Sequence, residues 1–335
     1  MTGRDLRRLP KANLHLHLTG SMRPETADEL AARHGLPPLP PVDPAGPVPH
    51  GWEVFQDRYD AARSAVRTAA DIHRIVTEAI ADDQAAGAGW VELQVDPTAY
   101  APHLGSLEAV IEAVLAAVRG RPAGVIIAAS WGAPADHAER LAELAVRYRP
   151  HGVVGFGLSN DERRGRTATF VPAFRLITEA GLLAVPHAGF YQGAWHVREA
   201  IELLGAHRVG HGLTAVEDPA VLDLLARRGI ALEVCPTSYP PFGVVADLAS
   251  IPLDQLAAAG VPVALATDDP LIFGVDLAGQ YALVRDHLGR TDTVLAALAE
   301  QSVDASAAPA ELKQRLRAGI KSWLGSHSRP RRRRH

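Results

Sequence analysis

The sequence predicts a parallel (β/α)8 TIM barrel, and three observations carry that prediction. Eight short apolar segments alternate with longer stretches of helical period along the 335 residues. Every segment is followed by a connection long enough for the crossover helix that parallel pairing requires. The polar side chains best suited to chemistry fall at the C-terminal ends of the segments, the rim on which such barrels carry their sites. A doubly wound open sheet is the competing architecture, but no Gly-rich phosphate loop follows the first strand.

The first strand is residues 11–18, Lys11-Ala12-Asn13-Leu14-His15-Leu16-His17-Leu18. Polar and apolar residues alternate, which is the period of a strand. Residues i and i+2 share a face, so His15 and His17 project together, with Leu14, Leu16 and Leu18 on the other face. Two neutral imidazoles on one side of a rigid element make half of a metal site. The longest interruption follows. Residues 36–50 are rich in Pro and Gly, and Trp52, Phe55 and Tyr59 then recur at roughly helical spacing. Residues 36–60 are read as a lid-like insertion at the rim, where the long loops of a barrel cover its site.

Apolar runs at 89–95, 124–131, 152–158 and 182–188 give the second to fifth strands, and 208–212, 231–235 and 261–267 give the sixth to eighth. Helical patterns lie between them, among them Ala138–Tyr148, Thr169–Ala180, Pro219–Arg228 and Leu253–Ala259. His187 ends the fifth strand, His211 the sixth, and Asp268 with Asp269 the eighth. Four histidines and two aspartates therefore converge on one rim. Three imidazoles and one carboxylate suit a divalent ion such as zinc, with water at the open position. The remaining His and Asp are then free for proton transfer and substrate contact.

Composition narrows the function classes. One domain is expected over 1–325, followed by a basic, disordered tail at 326–335 that holds five arginines between Arg329 and Arg334. Net charge is −4 even with that tail, so a broad nucleic-acid footprint is not expected and the partner is a small-molecule substrate. Cys235 is the only cysteine, which excludes an internal disulfide and fits a cytoplasmic protein. No apolar run approaches a membrane span, and none follows Met1 as a signal peptide would.

Taken together, the landmarks carry a family resemblance. They are Pro10-Lys11-Ala12-Asn13-Leu14-His15-Leu16-His17-Leu18-Thr19-Gly20-Ser21, Val91-Glu92-Leu93, Ser159-Asn160-Asp161-Glu162, His187-Ala188-Gly189, Gly210-His211-Gly212, Cys235-Pro236-Thr237-Ser238 and Thr267-Asp268-Asp269-Pro270. In order and spacing, from about residue 9 to about 300, the chain resembles the adenosine and adenine deaminase branch of the amidohydrolase superfamily. The resemblance implies the barrel and one zinc-like ion held by His15, His17, His187 and Asp268. It implies His211 as the group that orients and deprotonates the activated water, and Asp269 as a contact to the substrate ring. Asp268 would serve both as ligand and as anchor of the attacking oxygen.

The chain departs from that pattern on the substrate side. Phe190 follows His-Ala-Gly where the resemblance implies a Glu that donates a proton to a ring nitrogen. Tyr191 could donate instead, but adjacent strand residues face opposite sides, which disfavours it. Thr19 stands where an acidic residue is usual, Asn160 where Gly is common and Tyr239 where Asn is frequent. Thr19, Trp131, Gly157, Asn160, Phe190 and Tyr239 are the candidate substrate contacts. The expected activity is hydrolysis of a C–N bond in a small cyclic or nucleoside-like substrate other than adenosine. An adenosine or adenine deaminase that tolerates Phe190 is the first alternative, and a metal-binding pseudoenzyme is the second.

Overall fold

The computed structural model describes residues 3–39 and 51–326. Most of the Pro-rich part of the insertion, and the arginine tail, lie outside these residues.

Eight parallel strands run in sequence order round a barrel: β1 (Lys11–His17), β2 (Ala88–Val95), β3 (Ala123–Ser130), β4 (Val153–Ser159), β5 (Leu183–Ala188), β6 (Arg208–His211), β7 (Ala231–Val234) and β8 (Val263–Leu265). Each pairs with the next, so the eight strands read from the sequence are all present and the open-sheet alternative is excluded. The barrel closes at the rim. Asp268 N donates to His15 O at 2.9 Å, and His17 N donates to Asp268 O at 3.2 Å. β8 is shorter than the expected 261–267 because the backbone leaves the ladder at Thr267, whose N–H turns to the Asn13 side chain.

Crossover helices cover the outside. After β1 come α1 (Pro24–Arg33), α2 (Gly51–Ser64) and α3 (Ala69–Ala85). In α3 the buried Ile72, Ile75, Val76, Ala79 and Ile80 repeat at three and four residues and seat the helix on the barrel. A capping box starts it: Thr68 Oγ1 accepts from Asp71 N at 3.1 Å and Asp71 Oδ2 accepts from Thr68 N at 2.9 Å. Later crossovers carry α4 (Leu107–Val118), α5 (Ala135–Tyr148), α6 (Val171–Glu179), α7 (Ala194–Glu202), α8 (Pro219–Arg228) and α9 (Leu253–Ala258). After β8, α10 (Leu277–Asp286), α11 (Asp292–Ala305) and α12 (Ala310–Gly325) complete the chain. One apolar core lies between the strands and this helical coat. Among the described residues no helix is long and apolar enough to cross a membrane.

Candidate active site

Donor atoms from three strand ends meet inside the rim. His17 Nε2 lies 3.3 Å from His187 Nε2 and 3.4 Å from Asp268 Oδ1, and His15 Nε2 lies 3.5 Å from the same oxygen. Four donors set about 2.0–2.2 Å from one shared cation in a tetrahedral array stand roughly 3.3–3.6 Å apart. His15 Nε2 is buried without a hydrogen-bond partner, and two imidazole nitrogens facing each other gain from a cation between them. The donor set is therefore of the right chemistry and span for a divalent transition metal. The ring nitrogens of His15, His187 and His211 also gather within 4.8 Å of one another.

The local backbone is strained to achieve this. Among the described residues, the non-glycine positions with positive φ are Asn160 at 67°, His211 at 66° and Asp268 at 60°. All three line the same cavity. Such conformations cost about 1–3 kcal/mol each and concentrate at functional sites. Gly20 contributes by absence, since a Cβ there would fall 1.7 Å from Asp269 Oδ1.

Burial and charge set the protonation. Burial drives His211 down to about 3 and His187 well below its ordinary value, so both rings are neutral. Burial also lowers His15, but the Asp268 and Glu233 carboxylates that face its two nitrogens outweigh that and raise it to about 10. Burial would raise Asp268, yet His15 and His17 hold its carboxyl well below the usual range. Asp269, buried beside that charge, is pushed well above it.

Behind the donors runs a buried ionic chain. His15 Nδ1 donates to Glu233 Oε2 at 2.9 Å, which orients the ring so that Nε2 faces inward. Arg208 Nε donates to Glu233 Oε1 at 2.6 Å, its second nitrogen bonds Glu92, and its third donates to Ala305 O at 2.8 Å.

A cavity of about 800 Å³, counted with the solvent space at its open mouth, lies over these donors. A match to the adenosine deaminase family model covers residues 10–323. The chain belongs to the adenosine deaminase family. It is 49% identical to a Streptomyces coelicolor protein named "Putative adenosine/adenine deaminase", over 96% of this chain and 98% of that protein. It superposes on an adenine deaminase of Arthrobacter aurescens with a TM-score of 0.86 at 26% identity, covering 95% of this chain and 99% of the other. A Burkholderia ambifaria amidohydrolase with bound Zn matches at a TM-score of 0.81 and 25% identity, covering 96% and 92% of the two chains. Enzymes of the adenosine deaminase family depend on a metal and hydrolyse C–N bonds of small molecules.

Within this deaminase fold, the cavity is lined by His17, His187, His211, Asp268, Asp269, Asn160 and Phe190 from the sequence-predicted set, while His15 sits just behind. Four predicted substrate contacts lie outside the cavity lining. Trp131 is buried behind β5, with Nε1 donating to His187 O at 3.0 Å and the ring 4.8 Å from His196. Thr19 is fully buried and spends its hydroxyl on Tyr100. Tyr239 is fully buried and accepts from Cys235 N at 2.9 Å. Gly157 lies one layer down, where a Cβ would meet the Gln94 amide at 2.6 Å. The objection to Tyr191 also fails. β5 ends at Ala188, so Phe190 and Tyr191 sit in a turn and both reach the cavity.

Other wall residues were not among the substrate contacts read from the sequence, although Trp52, Phe55 and Tyr59 belong to the expected lid. Trp52, Phe55, Tyr59 and Arg63 descend from α2, at the three- and four-residue spacing of one helix face. Gln94, Asp96, Tyr100 and Phe242 complete the wall. Glu162 is the most consequential omission. Its Oε1 accepts from the backbone N–H groups of Phe190, Tyr191 and Gln192 at 3.0, 2.6 and 2.5 Å, and so clamps the turn that carries Phe190. Its Oε2 lies 3.3 Å from His196 Nδ1. The Ser159-Asn160-Asp161-Glu162 landmark was visible, but nothing local shows that a glutamate will bond a turn 28 residues away.

Proposed function

We propose that this protein is a zinc-dependent deaminase acting on a small cyclic or nucleoside-like amine other than adenosine. One observation carries the reading: His15, His17, His187 and Asp268 converge with spacings of 3.3–3.5 Å beneath a cavity that also holds His211 and Asp269. A divalent metal in that donor set would lower the pKa of a water molecule toward neutrality. His15, His17, His187 and Asp268 are the proposed ligands. His211, neutral and buried, would accept a proton from the attacking water and return it to the leaving amine. Asp269 contacts the ring of the substrate and orients it, and Asn160 and Phe190 shape the pocket that receives it. Helix α2, which brings Trp52, Phe55 and Tyr59 to the cavity, serves as the lid; residues 40–50 of the expected insertion lie outside the described residues.

The proposal departs from adenosine because Phe190 presents a hydrocarbon ring where purine hydrolysis needs a proton donor. The second reading, an adenosine or adenine deaminase that tolerates Phe190, is favoured by the name of the Streptomyces coelicolor relative. The test is elemental analysis followed by ammonia release from a panel of amino-purines, amino-pyrimidines and their nucleosides at full metal occupancy. Turnover of non-adenosine members is expected. Efficient turnover of adenosine selects the second reading, and metal without any turnover refutes both.

A further inference from the structure

We infer that the ring hydrolysed here is already cationic: an amino-substituted nitrogen heterocycle alkylated on the ring nitrogen beside the amino-bearing carbon. The inference rests on the deaminase reading above and names its substrate class. Addition of hydroxide to such a carbon pushes an electron pair onto the neighbouring ring nitrogen. That nitrogen needs either a proton from the protein or a positive charge of its own.

Among the described residues, the turn after β5 offers no free acid beside His211, and Asp269, whose Oδ1 is buried without a partner, enters the cavity from β8 instead. Among the rings packed on the imidazole, Phe190 is the nearest, at 4.6 Å. Tyr191 follows it, but its hydroxyl donates to Phe242 O at 3.3 Å. Glu162 Oε1 is committed to three backbone N–H donors, and its Oε2 faces His196 Nδ1 at 3.3 Å. Asp269 follows β8, three strands round the barrel from β5.

What surrounds the gap suits a cation. Phe190, Phe242 and Trp52 form one aromatic wall, with ring centroids 5.2 Å and 5.5 Å apart in succession. Aromatic faces attract cations by about 0.5–2 kcal/mol, more when water is excluded. The one guanidinium in the cavity lining, Arg63, is paired with Asp60. Arg163 lies 4.2 Å over the Tyr191 ring but is itself held by Asp161 at 2.8 Å.

The step balances without an added acid. His211 takes a proton from water, and the resulting hydroxide forms a C–O bond to the amino-bearing carbon. The C=N electron pair moves to the alkylated nitrogen and cancels its charge, giving a neutral adduct. His211 then protonates the amino group, the C–N bond breaks and the carbonyl forms. The hydroxyl proton leaves with ammonia as ammonium. One cation and one water give one neutral carbonyl product and one ammonium ion.

The test compares 1-methyladenosine and 1-methyladenine with adenosine and adenine, at neutral pH and verified metal occupancy, scoring ammonia and product mass. A general acid contributes about 10²–10⁴-fold, so the wild-type protein should favour the methylated cations by at least about 100-fold in kcat/KM. Phe190→Glu should shrink that preference to below about tenfold. Phe190→Leu keeps the apolar volume and loses the π face, so it should raise KM several-fold for the cations alone. Ammonia from neutral amino-heterocycles only, or equal KM changes for both classes in Phe190→Leu, overturns the inference and leaves the deaminase reading intact. Ammonia from no compound overturns both.

Discussion

The ring of Phe190 lies 4.6 Å from the imidazole of His211 and is tilted 51° to it. His211 Nδ1 is buried without a hydrogen-bond partner among the described residues. Ring packing therefore sets the angle of the imidazole, with Phe190 on one side, Tyr239 at 5.7 Å and His15 at 4.8 Å. The residue that departs most from purine chemistry is thus also the one that steadies the proposed base.

His211→Ala should keep one metal equivalent per chain and lose turnover by about 10²–10⁴-fold, the usual contribution of general acid–base catalysis. Elemental analysis and a rate measurement on the same preparation decide it. If the metal leaves with the activity, His211 is a ligand rather than the base, which its place within 4.8 Å of His15 and His187 nitrogens makes a real alternative.

His187→Ala should lose the metal. It removes the donor that faces His17 Nε2 at 3.3 Å, and only the β1 histidines and Asp268 remain. Chelation of the wild-type protein should lower its melting temperature, since a ligand that binds only the folded state stabilises it. Unchanged metal content in His187→Ala, or a melting temperature indifferent to chelator, would remove the site.

The barrel was legible because parallel strands buried on both faces give short apolar runs with helical spacers, and all eight survive in the structure. The convergence of His15, His17, His187, His211 and Asp268 was legible for the same reason, since strand ends of a barrel share one rim. The cavity wall was less so. Trp131 was placed in it by strand position and Tyr239 by the family resemblance, but each large ring instead spends its polar atom on the backbone, Trp131 on a carbonyl and Tyr239 on an N–H. Tyr191 was excluded by strand alternation, which lapses once the strand ends at Ala188. Glu162 and Arg63 reach the cavity from a loop and a helix, whose placement depends on tertiary contacts that no local pattern encodes.

Asp83 supplies a pH dependence of stability. Burial raises its carboxyl to about 7, against the hydrogen bond it accepts from Asn13 Nδ2 at 2.9 Å. The folded state then holds a proton that the unfolded state releases near pH 4, so stability falls as pH rises from about 4 towards 7. Asp83→Asn keeps an acceptor for Asn13 and carries no charge. Its urea midpoint should lose that slope, and it should exceed wild type at pH 8 by on the order of a few kcal/mol, at about 1.4 kcal/mol per pKa unit. Parallel pH profiles for the two proteins would contradict the assignment.

Arg208 and Glu233 should separate stability from metal affinity. Arg208 is 1% exposed and neutralises two buried carboxylates, Glu92 and Glu233. Breaking a buried ion pair by removing one partner costs about 3–5 kcal/mol. Arg208→Met should therefore be destabilised by at least that much in denaturant unfolding, with Glu92 losing its guanidinium partner and Glu233 left with His15 alone. Glu233→Gln is milder for the fold because an amide oxygen can still accept from His15 Nδ1 and Arg208 keeps Glu92. It nevertheless takes away the negative charge that makes His15 Nε2 a stronger donor. Loss of such a partner typically weakens metal binding by about 10–100-fold. Chelator competition on Glu233→Gln should show that weakening, with unfolding changed far less than in Arg208→Met. If the two variants instead lose stability equally and bind metal as wild type does, the chain from Arg208 through Glu233 to His15 braces the barrel and leaves the metal alone.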